Sequence, residues 1–311
     1  MKYKIYRFSF KTAVHFGGGS LSDGNIAFHA DSLFSALCLE TVKNSQSELD
    51  KMKELFSNGA LCLSDAFPFV GDTLFLPKPC CYVERKSDRD EGSSVVKKQY
   101  KKLKYISAQN FGKYFDSTLD PANELELLGN LGTYRLKTSV SISEAGESMP
   151  YNVGVYTFNQ NCGLYVIAGY DKEEYVEWLE KYLTGLSYSG IGGKRSAGLG
   201  RFELSVCDAP GILLNRLNAD GEMYMLLACA FPADEELPAF LDGAQYSVLR
   251  RGGFVSSFTY TDSCERKKDI FLFDSGSCFK SKFKGRIFDV SRGSGHPVYR
   301  YAVPMWLEVK K

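Results

Sequence analysis

Gly190-Ile191-Gly192-Gly193-Lys194-Arg195-Ser196-Ala197-Gly198-Leu199-Gly200-Arg201 carries five glycines in eleven residues, wrapped around two cations and a serine. Such a run fits neither a helix interior nor a central strand. Glycine loses more backbone entropy on ordering than any other residue, and it accumulates where positive φ or close backbone approach is required. Upstream, residues 171–183 read as a helix, with Tyr175, Trp178, Leu179 and Tyr182 at helical spacing. Downstream, Phe202, Leu204 and Val206 alternate with polar residues as in a half-buried strand. The order is helix, glycine loop, strand. A P-loop needs a strand first and Ser or Thr after its lysine, whereas Arg195 follows Lys194. The dinucleotide fingerprint fails as well, because Arg195 and Glu203 stand where its third glycine belongs. These mismatches argue against nucleotide hydrolysis. Bare N–H groups beside Lys194 and Arg195 favour an anion, most simply a phosphate. The plain alternative is a helix-to-strand turn, which does not need so many glycines beside two cations.

The remaining chain, 311 residues in all, is long enough for a sizeable core and more readily two domains than one. Its 44% apolar and 24% charged residues are those of a soluble globular protein, and no apolar run reaches the ~20 residues of a membrane span. Residues 1–6 lack the features of a signal peptide, and nine cysteines, mostly beside apolar neighbours, suit reduced thiols in a cytoplasm. With no Cys-x-x-Cys and three histidines, neither a metal nor a cofactor is expected. The net charge is only +1, so a nucleic-acid reading must rest on local patches.

Residues 3–12 read as a first strand, since Tyr6, Phe8 and Phe10 alternate with polar residues. The strand runs into a second glycine loop, His15-Phe16-Gly17-Gly18-Gly19-Ser20. A helix follows, with Asp31 or Ser32 as its N-cap and Leu33, Phe34 and Leu37 on its buried face; a phosphate could dock at that N-terminus. Short strands at 61–69 and 73–76 precede residues 81–136, whose charge and lack of periodicity suggest an insertion projecting from the first domain. Within it Lys97, Lys98, Lys101, Lys102 and Lys104 surround Tyr100 and close on Tyr105. This is a solvated charge run or, given the tyrosines, an arm that stacks on bases. Strands return at 135–142, 151–158 and 164–170, completing a β, α, β-β, α, β order that is ferredoxin-like in outline. Residues 208–211 mark a boundary. The second unit again begins β, α, β-β: a strand at 224–231, a helix at 233–241, strands at 246–251 and 254–260, and further strands at 269–273, 279–287 and 299–309.

In that unit Arg250-Arg251-Gly252-Gly253-Phe254 repeats the pairing of cations with bare backbone. Lys280, Lys282, Lys284 and Arg286 fall at period two, either a stripe for a phosphate backbone or lysines that guard an edge strand. His15, His29 and His296 could each act as a general base, but capping or hydrogen bonding is the commoner use of such histidines.

Together, His29-Ala30-Asp31-Ser32-Leu33-Phe34-Ser35-Ala36-Leu37, residues 190–200, Arg250 to Phe254 and Gly295-His296-Pro297-Val298-Tyr299-Arg300-Tyr301 resemble the RAMP superfamily of CRISPR proteins. Within it, the resemblance is to the Csm-type subunits that cap the crRNA 5′ end in type III-A effector complexes. It implies an α+β chain of two ferredoxin-like (RRM-type) domains, at 1–207 and 208–311, with residues 81–136 as the thumb, and a non-catalytic role. It also implies binding to crRNA and the guide–target duplex, to a large polymerase-like subunit and to a backbone RAMP subunit, with no membrane. On this reading Gly192, Gly193, Lys194, Arg195 and Ser196 bind handle phosphates. His15, Phe16, Gly17, Gly18, Gly19, Ser32, Arg250, Arg251, Gly252, Gly253, Phe254 and Arg300 line the same channel, and loops rather than the sheet face hold the RNA. The alternatives are a metal-independent endoribonuclease with His15 or His29 as base, and a scaffold whose basic loops bind acidic protein groups.

Overall fold

A computed structural model describes the chain except residues 82, 84–92, 142–147, 256–264, 294 and 311. Most of the polar stretch 84–94 and the expected strand beyond residue 255 therefore lie outside the described residues. In chain order, the N-terminal part forms β1 (Lys2–Phe10), β2 (Phe16–Gly17), β3 (Gly24–Asn25), α1 (Ala30–Val42), α2 (Gln46–Ser57), β4 (Leu61–Leu63), β5 (Phe67–Val70) and β6 (Thr73–Pro77). It continues with α3 (Ser93–Lys102), β7 (Tyr105–Ser107), α4 (Phe111–Phe115), α5 (Pro121–Gly129), β8 (Gly132–Ser141), β9 (Met149–Phe158), β10 (Cys162–Tyr170), α6 (Glu173–Ser189) and β11 (Phe202–Asp208). The C-terminal part holds α7 (Gly211–Leu217), β12 (Met223–Leu226), α8 (Leu237–Phe240), β13 (Val248–Arg251), β14 (Ile270–Phe273), β15 (Cys278–Phe279), β16 (Arg286–Asp289), β17 (Tyr299–Ala302) and β18 (Trp306–Lys310).

The main sheet runs β11-β1-β10-β5-β6-β7, with β4 also on β10. β1 is antiparallel to both neighbours, its Ile5 lying between Ile167 of β10 and Cys207 of β11. All nine residues of β10 are buried, the mark of a strand covered on both faces. Leu33, Phe34 and Leu37 of α1 and Val176, Leu179 and Leu183 of α6 join its core.

That core does not stop at residue 207. Met225, Leu227, Tyr301, Met305 and Leu307 of the C-terminal part belong to the same buried cluster. The Tyr301 ring stacks on Phe34 at 5.4 Å and meets Phe56 edge-on at 5.7 Å, and its hydroxyl accepts the Leu63 N–H at 3.0 Å. Each such buried aromatic contributes about 1.5–3 kcal/mol of burial, so the two units are welded rather than linked.

Residues 93–131 do not project. Tyr100, Leu103, Ile106, Phe111, Tyr114 and Leu119 fill the main core. The buried Glu124 accepts from the Ser107 N–H at 2.7 Å, the Ser107 hydroxyl at 2.8 Å and Asn110 at 2.7 Å. The element that stands out is the β8–β9 hairpin, paired from Gly132↔Phe158 to Ser141↔Met149, with Leu136, Val140 and Met149 exposed.

In the C-terminal part the strands form a three-stranded sheet, β15-β12-β18, and the pairs β13-β14 and β16-β17. The helix expected at 233–241 shrinks to Leu237–Phe240, because Pro238 is tolerated only in a first turn and stops the helix from extending back towards residue 233. The strand expected at 224–231 ends its ladder at Leu226, although Leu227, Ala228, Cys229 and Ala230 remain fully buried. The lysine stripe is also broken: Phe279 ends β15, Arg286 begins β16, and Phe283 between them is buried. Among the described residues, no helix is long and apolar enough to cross a membrane.

Candidate nucleic-acid interface

The glycine loop is shaped by backbone crowding. Gly190 caps α6 at φ 78°, and the Gly200 carbonyl accepts the Ile191 N–H at 3.0 Å. A Cβ on Gly200, whose φ is 80°, would lie 2.1 Å from the Ile191 carbonyl oxygen. The loop closes on the strand end after β1, where the Gly193 N–H donates to the His15 carbonyl and the Gly200 N–H to that of Ala13, at 2.8 and 3.0 Å. The Gly193 amide is therefore engaged within the protein and is not free for a phosphate. A side chain at Gly193 would strike the His15 ring, with a Cβ 2.7 Å from its Cδ2.

These contacts fix His15. Its Nδ1 lies 2.7 Å from the Gly154 carbonyl, which can only accept, so Nδ1 carries a proton and the neutral ring is the tautomer with Nε2 as acceptor. His15, Phe16, Gly17, Ser32, Gly192, Gly193, Arg195, Arg251, Gly252 and Arg300 all line one trough of about 250 Å³. Its floor is the first turn of α1, where His29 rather than Asp31 or Ser32 holds the N-cap position. The Ala30 N–H at that turn donates to Asp65 at 2.7 Å, so that amide too is engaged.

Asp31 instead points into a buried cluster of opposite charge. Its carboxylate takes Arg251 in a bidentate grip, Nε at 2.8 Å and Nη2 at 2.7 Å, and accepts from Arg300 Nη1 as well. Arg251 also donates to the Ser32 hydroxyl at 3.0 Å, and Arg300 to the Gly252 carbonyl at 2.9 Å. Burial works to raise the Asp31 pKa, but the two guanidinium groups outweigh it and hold the carboxyl well below its usual range. The expected clamps Arg251 and Arg300 are thus tied to a carboxylate and build the trough wall.

Other expected residues lie elsewhere. Lys194, in the left-handed region at φ 58°, sets its ammonium 4.9 Å from the Tyr151 ring centre on the hairpin. Ser196 is exposed, as are Gly18 and Gly19 in the preceding loop, and none lines the trough. Arg250 is exposed and paired with Asp269 at 2.6 Å. Gly253 and Phe254 stand outside the trough, Phe254 under the Arg266 guanidinium at 5.7 Å. On α3 the tyrosine reading fails: Tyr100 is buried and its hydroxyl donates to the Leu119 carbonyl at 2.6 Å, and Tyr105 lies on β7. Lys97, Lys98, Lys101 and Lys102 are the exposed face of that helix. His296 is half-buried and does not line the trough.

His29 sits between the trough and a second groove of about 930 Å³ lined by Lys78, Lys104, Tyr105 and Asp274. Its Nδ1 is 2.7 Å from Asp65. Burial opposes the imidazolium, yet the Asp65 carboxylate prevails and the His29 pKa lies above its ordinary value. Asp65 and Cys229 stand close enough to His29 to suggest a metal site. Asp65 already accepts from Ala30 and Cys229 backbone N–H groups, and burial pushes the Cys229 thiol far up, so the donor set is unsuited to a cation. Sequence reasoning missed Asp65, the pairing of Asp31, and Lys267, a buried residue that lines the trough.

A trough floored by α1, closed by a glycine loop and walled by cations from both units fits the RAMP class. Residues 7–203 match the RAMP superfamily, and residues 219–309 match the CRISPR Csm4 C-terminal domain. The CRISPR system Cms protein Csm4 of Mycobacterium tuberculosis H37Rv is 36% identical over 99% of this chain and 98% of its own. Its counterpart in Streptococcus thermophilus is 34% identical over the whole of both chains. The chain belongs to the Csm4 family. The fold is similar to a chain of the Csm3-Csm4 subcomplex of the type III-A CRISPR-Cas interference complex (TM-score 0.67, 21% identity, 99% of each chain). It is also similar to one of the Csm1-Csm4 cassette in complex with cA4 (TM-score 0.62, 20% identity, 100% and 98% covered).

Proposed function

We propose that this chain is a non-catalytic crRNA-binding subunit of a type III-A Csm complex, holding the 5′ handle in the trough. The observation that carries this reading is one of charge and place. Segments as far apart in sequence as His15, Arg195, Arg251 and Arg300 line a single trough, which among the described residues holds four cations (Arg195, Arg251, Lys267 and Arg300) against the one acid Asp31. Phosphates would supply the affinity, and base edges and 2′-hydroxyls the specificity. The likeness to chains solved with Csm3 and with Csm1 supports a position between a backbone RAMP subunit and the large polymerase-like subunit. The strand order β11-β1-β10-β5, with α1 and α6 as crossovers, supports a ferredoxin-like N-terminal domain, with the C-terminal unit as its shorter counterpart. The β8–β9 hairpin, which shares only residues 132–136 with the stretch 81–136, is then the thumb that meets the guide–target duplex.

The acceptor Nε2 of His15 at the trough favours a second reading, a metal-independent ribonuclease with His15 as base. One experiment separates them: crosslinking of end-labelled crRNA to the full chain in EDTA. Handle crosslinks without cleavage, weakened by Arg195→Ala, are expected. Cleavage abolished by His15→Ala would establish the ribonuclease instead, and absence of both would leave a protein scaffold.

A further inference from the structure

Of the four cations lining the trough, two are committed: Arg251 and Arg300 share Asp31. Arg195 and Lys267 have no acidic partner among the described residues, and no acceptor lies within hydrogen-bonding distance of either side chain. Arg195 opens the short helical turn of the glycine loop. Lys267 comes from the opposite unit, where its own N–H is pinned to the Gly253 carbonyl at 2.9 Å. It is 8% exposed, an unusual place for an unpaired ammonium, since lysine is almost never buried without a partner. Beside it the Arg300 Nε is fully buried and meets no acceptor. On this wall the Lys267 ammonium and the Arg300 Nε are thus left without an oxygen, while the other Arg300 donors are taken by Asp31 and Gly252.

We propose that Lys267 is an anion seat, which together with Arg195 of the same trough holds one phosphodiester of the bound RNA. This rests on the handle-binding reading and adds to it the residue that makes the phosphate contact. Arg251 and Arg300 then act as positioning residues: held by Asp31, they keep the wall rigid and positive without taking the phosphate themselves. The Ser32 and Ser35 hydroxyls on the trough floor are within the same lining.

The ionisation of Lys267 agrees with this geometry. Burial, and then the neighbouring Arg300 charge, lower its pKa to about 8; Asp31 and Cys38 oppose that shift and Arg251 adds to it. The Cys38 thiol, pushed up to about 12 by burial, is neutral there, which leaves the Asp31 carboxylate, already shared by Arg251 and Arg300, to oppose the shift. An incoming phosphate is the partner whose charge would restore the proton.

The test is a salt titration of handle-bearing single-stranded RNA on the full chain, comparing wild type, Lys267→Met and Lys267→Arg. Wild type and Lys267→Arg are expected to share one slope of log affinity against log salt. Lys267→Met should bind about tenfold weaker, with a slope smaller by about 0.7, the value of one single-strand phosphate. Wild-type affinity should fall as pH rises through about 8, while that of the arginine variant stays level. Equal slopes for wild type and Lys267→Met overturn the lysine seat and leave handle binding standing. No RNA binding by the wild-type chain overturns both.

Discussion

Replacing Asp31 with asparagine keeps the side chain's volume and removes its charge, leaving Arg251 and Arg300 facing each other in a buried wall. In the native protein that carboxylate is fully buried and takes three guanidinium hydrogen bonds, two from Arg251 at 2.7 and 2.8 Å and one from Arg300. Removing one partner of a buried ionic cluster costs about 3–5 kcal/mol, because the remaining charge stays desolvated. For a chain of this size, at about 2 °C per kcal/mol, the melting temperature should drop by about 6–10 °C. The pH profile separates charge loss from a packing defect. The Asp31 carboxyl is held below its ordinary pKa, so its stabilisation is fully present above the unfolded-state value of about 4 and is lost as pH falls below it. The gap between wild type and Asp31→Asn should therefore be constant from about pH 5 upward and close on acidification. Urea melts across that range provide the measurement. A loss below about 1 kcal/mol at neutral pH, or a gap that does not change with acid, refutes the account of the trough wall as one electrostatic unit.

Further outcomes follow from the geometry. Gly200→Ala should destabilise by more than 2 kcal/mol, since its Cβ would press on the Ile191 carbonyl, whereas Gly198→Ala, at φ 82° with open space around it, should cost about 1 kcal/mol; paired denaturation curves distinguish them. Tyr100→Phe removes the hydroxyl's bond to the Leu119 carbonyl, so a loss of about 1 kcal/mol with unchanged RNA affinity is expected, and a large drop in affinity would revive the stacking arm. Replacing the exposed Leu136 and Val140 with serine should leave the melting temperature within about 1–2 °C and handle crosslinks intact, while altering contacts to a guide–target duplex mapped by footprinting.

Much of the fold was legible in local chemistry. The glycine run between α6 and β11, the unbroken apolar stretch of β10 and the alternation in β1 each depend on neighbours in sequence, and each formed as read. That His15, Arg195, Arg251 and Arg300 border one trough was something only the family resemblance implied, since no local pattern joins segments so far apart. What the chain could not disclose are partners brought together by folding. Asp31 read as a cap because the arginines that claim it lie 220 and 269 residues away. Lys267 stands among charged neighbours, Arg266, Lys268 and Asp269, and only burial singles it out. The lysine run at 97–104 carried a signal that was passed over: Tyr100 and Leu103, three apart, mark the buried side of a helix that ends between them, and both are in the core.

Asp65 binds three parts of the protein at once: the His29 ring before α1, the first amide of α1, and the Cys229 amide of the C-terminal unit. With Tyr301 seated among Phe34 and Phe56, that carboxylate makes the two halves a single cooperative body. A chimera that takes its front half from one relative and its back half from another must match side chain for side chain along this seam. Recombination at residue 208 would yield an insoluble hybrid unless the acceptor and its donors travelled together.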